Sequence, residues 1–197
     1  MDFKSIFIGK NAVCKEFSQM ADYAEITAGG SDIWGKSDEL TFCYNEHVGD
    51  FTFICRIESF EKSDLYAKAG LMARAALEPN SAHAFLAVFP NNDKRNKNNG
   101  GYEFQYRAKD GKKSFAVYPA DYKTQPPAHP ANYPDTWVKL VRQNNNFTSY
   151  SSKDGQDWKF YSSCELPLPE KLYLGLAATA HNKKALTTVK FCNISIE

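Results

Sequence analysis

Residues 68–77 read Lys-Ala-Gly-Leu-Met-Ala-Arg-Ala-Ala-Leu (KAGLMARAAL), and whether they form a helix or a strand decides the fold class. The alanines favour a helix, but Gly70 inside one would cost about 1 kcal/mol relative to alanine. The stretches on either side alternate with period two, the pattern of half-buried strands. Read as a strand, the segment puts Ala69, Leu71, Ala73, Ala75 and Leu77 on one face. Lys68, Met72 and Arg74 then share the other face.

Working outward, the same alternation recurs almost everywhere. Glu39–Asn45 and Asp50–Glu58 read as strands joined by a turn region at Glu46-His47-Val48-Gly49. Ala82–Phe89 and Gly101–Ala108 flank the polar loop PNNDKRNKNNG at 90–100. A proline-rich loop, Pro119–Asp135, follows, and loops of that length are often functional when ordered. Thr136–Gln143, Asn146–Ser152, Asp157–Cys164, Lys171–Ala180 and Leu186–Ile196 complete about ten to twelve expected strands. Between two of them, Lys153-Asp154-Gly155-Gln156 carries the Asp-Gly pair of a tight hairpin. The expected class is all-β, an antiparallel two-sheet β-sandwich in a single domain over residues 1–197.

Composition narrows the function classes. A chain of 197 residues with 43% hydrophobic residues can bury one substantial core. Its net charge of +1 is spread along the chain, so there is no electrostatic footprint for nucleic acid. No apolar run has the length of a membrane-spanning helix, and no secretory leader is evident. The cysteines are five in number and widely spaced. With no C-x-x-C pair, they read as free thiols in a reducing, cytoplasmic setting.

Several words, in chain order, carry a resemblance: SDIWG, GDF, AKAGLMARAAL, SAHAFLAVFP, GYEFQYR, TWVKLVRQNNNFTSYSSKDGQDW and LYLGLAATAH. Together they span roughly residues 30–196 and resemble the concanavalin A-like lectin/glucanase superfamily jelly roll. Within it the chain is similar to the family of unknown function associated with regulation of enolase. The resemblance implies two antiparallel sheets with a concave face, and domains of this fold often accompany carbohydrate-active enzymes as binding modules. It delivers no single activity, since function belongs to sites rather than folds.

Sorting side chains by parity gives candidate binding residues. Arg74 shares its face with Lys68, while Glu103, Gln105 and Arg107 share one face of Gly101–Ala108. Trp137 and Lys139 share a face of Thr136–Gln143, and His83 and His181 lie on or at the end of neighbouring strands. If these faces belong to one sheet, they form a groove whose planar, directional groups suit sugar hydroxyls or carboxylates. The alternative is an ordinary solvated outer face. Tyr122, with Tyr118 and Tyr133, makes Pro119–Asp135 a candidate rim, or else a cover for a strand edge.

Hydrolysis finds little support, because Glu103 is followed two residues later by the amide Gln105 rather than by a second carboxylate. A glycan hydrolase using Glu103 and a loop carboxyl remains an alternative, as does a cytoplasmic regulator that binds a metabolic enzyme. No cofactor or zinc-ligand spacing is present. The fold admits a structural calcium at Asp32, Asp38 or Asp50, although each reads more simply as a turn or cap residue. The stretch GGSDIWGKSDE at 29–39 reads as a corner, with Asp32 bonded to local backbone and Trp34 plugging one end of the sandwich. Trp34 at the groove rim is the other reading. The expected function is a non-catalytic carbohydrate-binding module.

Overall fold

The computed structural model describes residues 2–10, 14–95 and 100–197, and for Cys14 and Lys15 the backbone alone. The polar loop at 90–100 therefore lies partly outside the described residues. In chain order the strands are β1 (Lys4–Ile8), β2 (Cys14–Gln19), β3 (Tyr23–Ala28), β4 (Ile33–Trp34), β5 (Ser37–Asp38) and β6 (Leu40–Val48). Then come β7 (Phe51–Phe60), β8 (Lys68–Arg74), β9 (His83–Val88), β10 (Tyr102–Arg107) and β11 (Phe115–Val117). The last are β12 (Thr136–Gln143), β13 (Asn146–Ser152), β14 (Lys159–Glu165), β15 (Lys171–Thr179) and β16 (Thr187–Ile196).

Two seven-stranded antiparallel sheets face each other as a β-sandwich. One runs β1-β6-β15-β8-β9-β10-β11 and the other β14-β13-β12-β7-β16-β3-β2. Alternation builds the core between them. Ala69, Leu71 and Ala73 of β8 point inward with Ala84 and Leu86 of β9, against Phe53, Val138 and Leu140 of the second sheet. Burying such side chains stabilises by about 25 cal/mol per Å² of apolar surface removed from water. Residues 68–77 are thus a strand, as the alternation requires, but it stops at Arg74 rather than Leu77. Its end coincides with a guanidinium that turns to the carbonyls of Ala76 and Glu78.

Within the strands parity places residues on the correct faces, but Leu77, beyond the end of β8, packs on the side of Met72 and Phe85 rather than with Ala69 and Leu71. Parity also leaves sheet membership open. β12, which carries Trp137 and Lys139, pairs with β7 and β13 in the second sheet. β8, β9 and β10, which carry Arg74, His83, Glu103, Gln105 and Arg107, are consecutive neighbours in the first. The expected groove therefore divides between two sheets. Trp137 packs over the Asp-Gly hairpin, where a Cβ on Gly155 would come within 2.9 Å of its ring and φ is +75°. Lys139 lies over the rings of Tyr150 and Trp158.

Cys43, Cys55 and Cys192 are buried, packed as small hydrophobes. The segments β1, β2 and β3 lie ahead of the strands expected from sequence, because charged and polar residues there weaken the alternation.

Candidate functional site

The outer face of the first sheet is not bare. Its middle is apolar: Phe42, Met72, Phe85, Ala87 and Ala177 form a second buried cluster with Ile33 and Leu40. The two-stranded hairpin β4–β5 lies over it, with Ile33 inserted at 0% exposure. Gly35, at φ +61°, makes the hairpin turn.

The hairpin is held by its own carbonyls. Gln105 Nε2 donates to Ile33 O at 2.7 Å, Arg107 donates to Trp34 O and Gly35 O, and Ser114 N donates to Gly35 O at 2.8 Å. Asp38 ends β5 as an acceptor between two guanidiniums, 2.7 Å from Arg74 Nη1 and 2.6 Å from Arg107 Nη2. All three side chains are completely buried. His83 lies beside them, and burial depresses its pKa to about 3, so the ring is neutral. The groups read from sequence as sugar-facing, Arg74, His83, Gln105 and Arg107, thus lie beneath the hairpin and present nothing to a ligand. Expecting them in a groove was an error, because parity cannot reveal what covers a face. Glu103, on the same strand face, accepts a hydrogen bond from Tyr118 instead of holding the hairpin.

Beside the hairpin a pocket of about 460 Å³ opens on the same face. Asp32, Trp34, Lys68, Glu103, Tyr118 and His181 line it, together with Tyr66 and Arg95. Trp34 is 38% exposed and stands at the pocket instead of plugging the sandwich; its neighbour Ile33 is the buried residue, in the outer-face cluster. Lys68 Nζ donates to Asp32 Oδ1 and lies 5.9 Å from the centre of the Trp34 ring. Asp32 therefore serves an ion pair, not a local turn. His181 follows β15 at φ +50°, an unusual backbone for a residue with a Cβ. That turn points its ring between two carboxylates, 3.6 Å from Asp32 Oδ2 and 2.9 Å from Asp64 Oδ1.

These contacts set the charges. Burial alone would raise the Asp32 pKa, but His181 and Lys68 outweigh it and hold the carboxyl below its usual range. The bond to Asp32, helped by Asp64, lifts His181 above its ordinary value against the effect of burial. Across the pocket, Tyr118 donates its phenol to Glu103 Oε2 at 2.7 Å. Burial and the Glu103 charge raise the Tyr118 pKa, keeping the phenol a donor. Tyr122 stacks on Tyr118 with centroids 5.2 Å apart, one ring behind the lining. Tyr133, the third tyrosine of that region, turns into the core and donates to Phe89 O.

Of the sequence candidates, the structure brings Trp34, Glu103 and His181 into one pocket and Tyr122 directly behind it. Tyr66 and Arg95 were missed. Arg95 lies in the polar loop, where nothing in the sequence separates a pocket wall from a solvated charge. Lys68 had a signal, since it shares the Arg74 face.

Each aspartate considered for calcium is engaged within the protein. Asp38 faces two guanidiniums, Asp32 faces an ammonium, and Asp50 accepts from the Asn144 backbone N–H. No cluster of three or more His, Cys, Asp or Glu side chains suits a metal among the described residues.

Comparison with known proteins places this architecture. A functionally unknown protein from Saccharomyces cerevisiae superposes with a TM-score of 0.68 at 16% identity, over 100% of this chain and 96% of that chain. The carbohydrate binding module CBM66 from Bacillus subtilis gives 0.55 at 14% identity, over 95% of each chain. Lectin II from Ulex europaeus gives 0.54 at 10% identity, over 100% of this chain and 98% of that one. At such identities the likeness establishes the fold, a concanavalin A-like jelly roll. No curated protein matches the chain. Residues 15–197 match the family described as "Protein of unknown function (DUF1349)", and the chain belongs to that family.

Proposed function

We propose that the pocket beside the β4–β5 hairpin binds a saccharide without turning it over. The observation that carries this reading is Trp34, a partly exposed flat ring beside a wall of Asp32, Lys68, Glu103 and His181. A sugar ring has the matching composition, with apolar C–H faces that stack on indole and hydroxyls that need directional donors and acceptors. Similarity in fold to a carbohydrate binding module and to lectins supports the reading.

Hydrolysis stays second, because Asp32 and Glu103 give the pocket the two carboxyls a glycosidase needs. Asp32, held ionised by His181 and Lys68, is unsuited to protonate a leaving group. Product release that Glu103→Gln abolishes would establish turnover instead.

The test is calorimetric titration with saccharides selected on a broad glycan array. Trp34→Ala is expected to weaken binding about tenfold, a loss of roughly 1.4 kcal/mol. Trp137→Ala, on the other sheet, is expected to leave it unchanged. An array without a retained glycan, or equal affinity for the Trp34→Ala variant, would defeat the proposal.

A further inference from the structure

Glu103 is 8% exposed, and its carboxylate lines the pocket. Among the described residues its side chain has one hydrogen-bond partner, the Tyr118 phenol on Oε2, and no cation within ion-pair distance. An ionised carboxylate can accept about four hydrogen bonds, and leaving them unmade in a buried place is costly. A group entering the pocket is therefore called on to donate to Oε1.

The cations of the pocket are already committed. Lys68 donates to Asp32. Arg95 directs its N–H groups to the carbonyls of Leu65, Asn91, Asp93 and Gly100 and to the Asn91 side chain. It thus has no two-pronged face to offer an incoming carboxylate. Two carboxylates, Asp32 and Glu103, stand against these two cations, and His181 shares its proton with Asp64. A ligand that brings a negative charge would leave it uncompensated in a half-enclosed space, because the pocket's cations are already engaged.

We infer that the ligand is a non-acidic sugar ring at the end of a chain or free, with a vicinal pair of donor groups on Glu103 and one ring face on Trp34. This rests on the saccharide reading above and specifies its chemistry. The volume agrees, since about 460 Å³ is at the lower end of the roughly 300–1,000 Å³ typical of small-molecule pockets. That is room for a terminal ring, not for an extended chain running through.

The experiment titrates the full chain with neutral methyl pyranosides, with the corresponding uronates and with the 2-amino-2-deoxy sugars. Neutral rings and amino sugars are each expected to bind at least tenfold more tightly than the uronates. Glu103→Gln is expected to lower affinity for the neutral ring about tenfold and to narrow the gap to the uronate. Tyr118→Phe, which keeps the carboxylate, is expected to retain the preference and decides the matter should Glu103→Gln fail to fold. A uronate that binds as well as its neutral parent overturns this inference and leaves saccharide binding standing. Unchanged affinity in Glu103→Gln does the same. If no sugar of the three classes binds while the array retains a glycan, this inference falls alone; if the array retains none either, both readings fall together.

Discussion

Asp38 is the residue on which the site's scaffold turns. It accepts from Arg74 and Arg107 in complete burial, and the remaining guanidinium hydrogens go to carbonyls such as Glu78 O and Ser81 O. Taking three charges out of water is costly, so the cluster is a weak source of net stability yet a severe liability once broken. Asp38→Asn would leave two buried guanidiniums facing an amide. The expected loss is about 3–5 kcal/mol, measured by urea unfolding. A loss below about 1 kcal/mol would mean that the carbonyls alone suffice to hold the arginines. Read as sequence, Arg74 and Arg107 invite a ligand carboxylate; the carboxylate they hold is the protein's own, 36 residues ahead of Arg74 and 69 ahead of Arg107 in the chain. Nothing local to either arginine announces that partner.

At the scale of elements, the β4–β5 hairpin converts an open sheet face into a pocket wall. Its apolar anchor is Ile33, buried against Met72, Phe85 and Leu40 in the second cluster. Ile33→Ala removes that anchor and is expected to cost about 2–5 kcal/mol. The loss is expected to be local as well as global. Amide exchange should accelerate at Asp38, whose N–H is donated to Pro79 O, and at Glu39, whose N–H goes to Asp32 O. Unaltered exchange there would show that the polar contacts fix the hairpin without Ile33.

The same element marks the limit of what the sequence makes legible. Alternation in KAGLMARAAL and GYEFQYR is a local, period-two property of a half-buried strand, so the sandwich and the face of each side chain within the strands can be read directly. Which sheet a strand joins depends on pairings between distant segments, and for that reason Trp137 and Lys139 could not be separated from Glu103 beforehand. A two-strand hairpin has no periodicity to detect, so GGSDIWGKSDE reads as a corner although it folds back over a face. Trp34 and His181 were legible as candidates through residue type. Arg95 and Tyr66 were not, because loop positions carry no face parity.

Over the whole molecule, three histidines make stability depend on pH in opposite senses. Burial depresses His83 to about 3 and His129 to about 4, against roughly 6.5 in an unfolded chain. Below about pH 6.5 the unfolded chain takes up protons that the folded protein refuses, so stability falls as the pH drops towards 4. Each fully buried imidazole contributes up to about 1.4 kcal/mol per pH unit in that window. His181 is raised, so its contribution is complete below about pH 6.5 and is lost as the pH climbs through its folded value. Asp32, depressed by its partners, adds to acid loss only below about pH 4, where an unfolded aspartate protonates. Urea midpoints measured between pH 4.5 and 8 are therefore expected to peak near pH 6.5 to 7 and to fall more steeply on the acid side. His83→Gln and His129→Asn should each flatten the acid limb, and His181→Asn, a residue that tolerates the same positive φ, should flatten the alkaline one. An acid limb as steep in both buried-histidine variants as in the parent would assign acid sensitivity to the carboxylates instead.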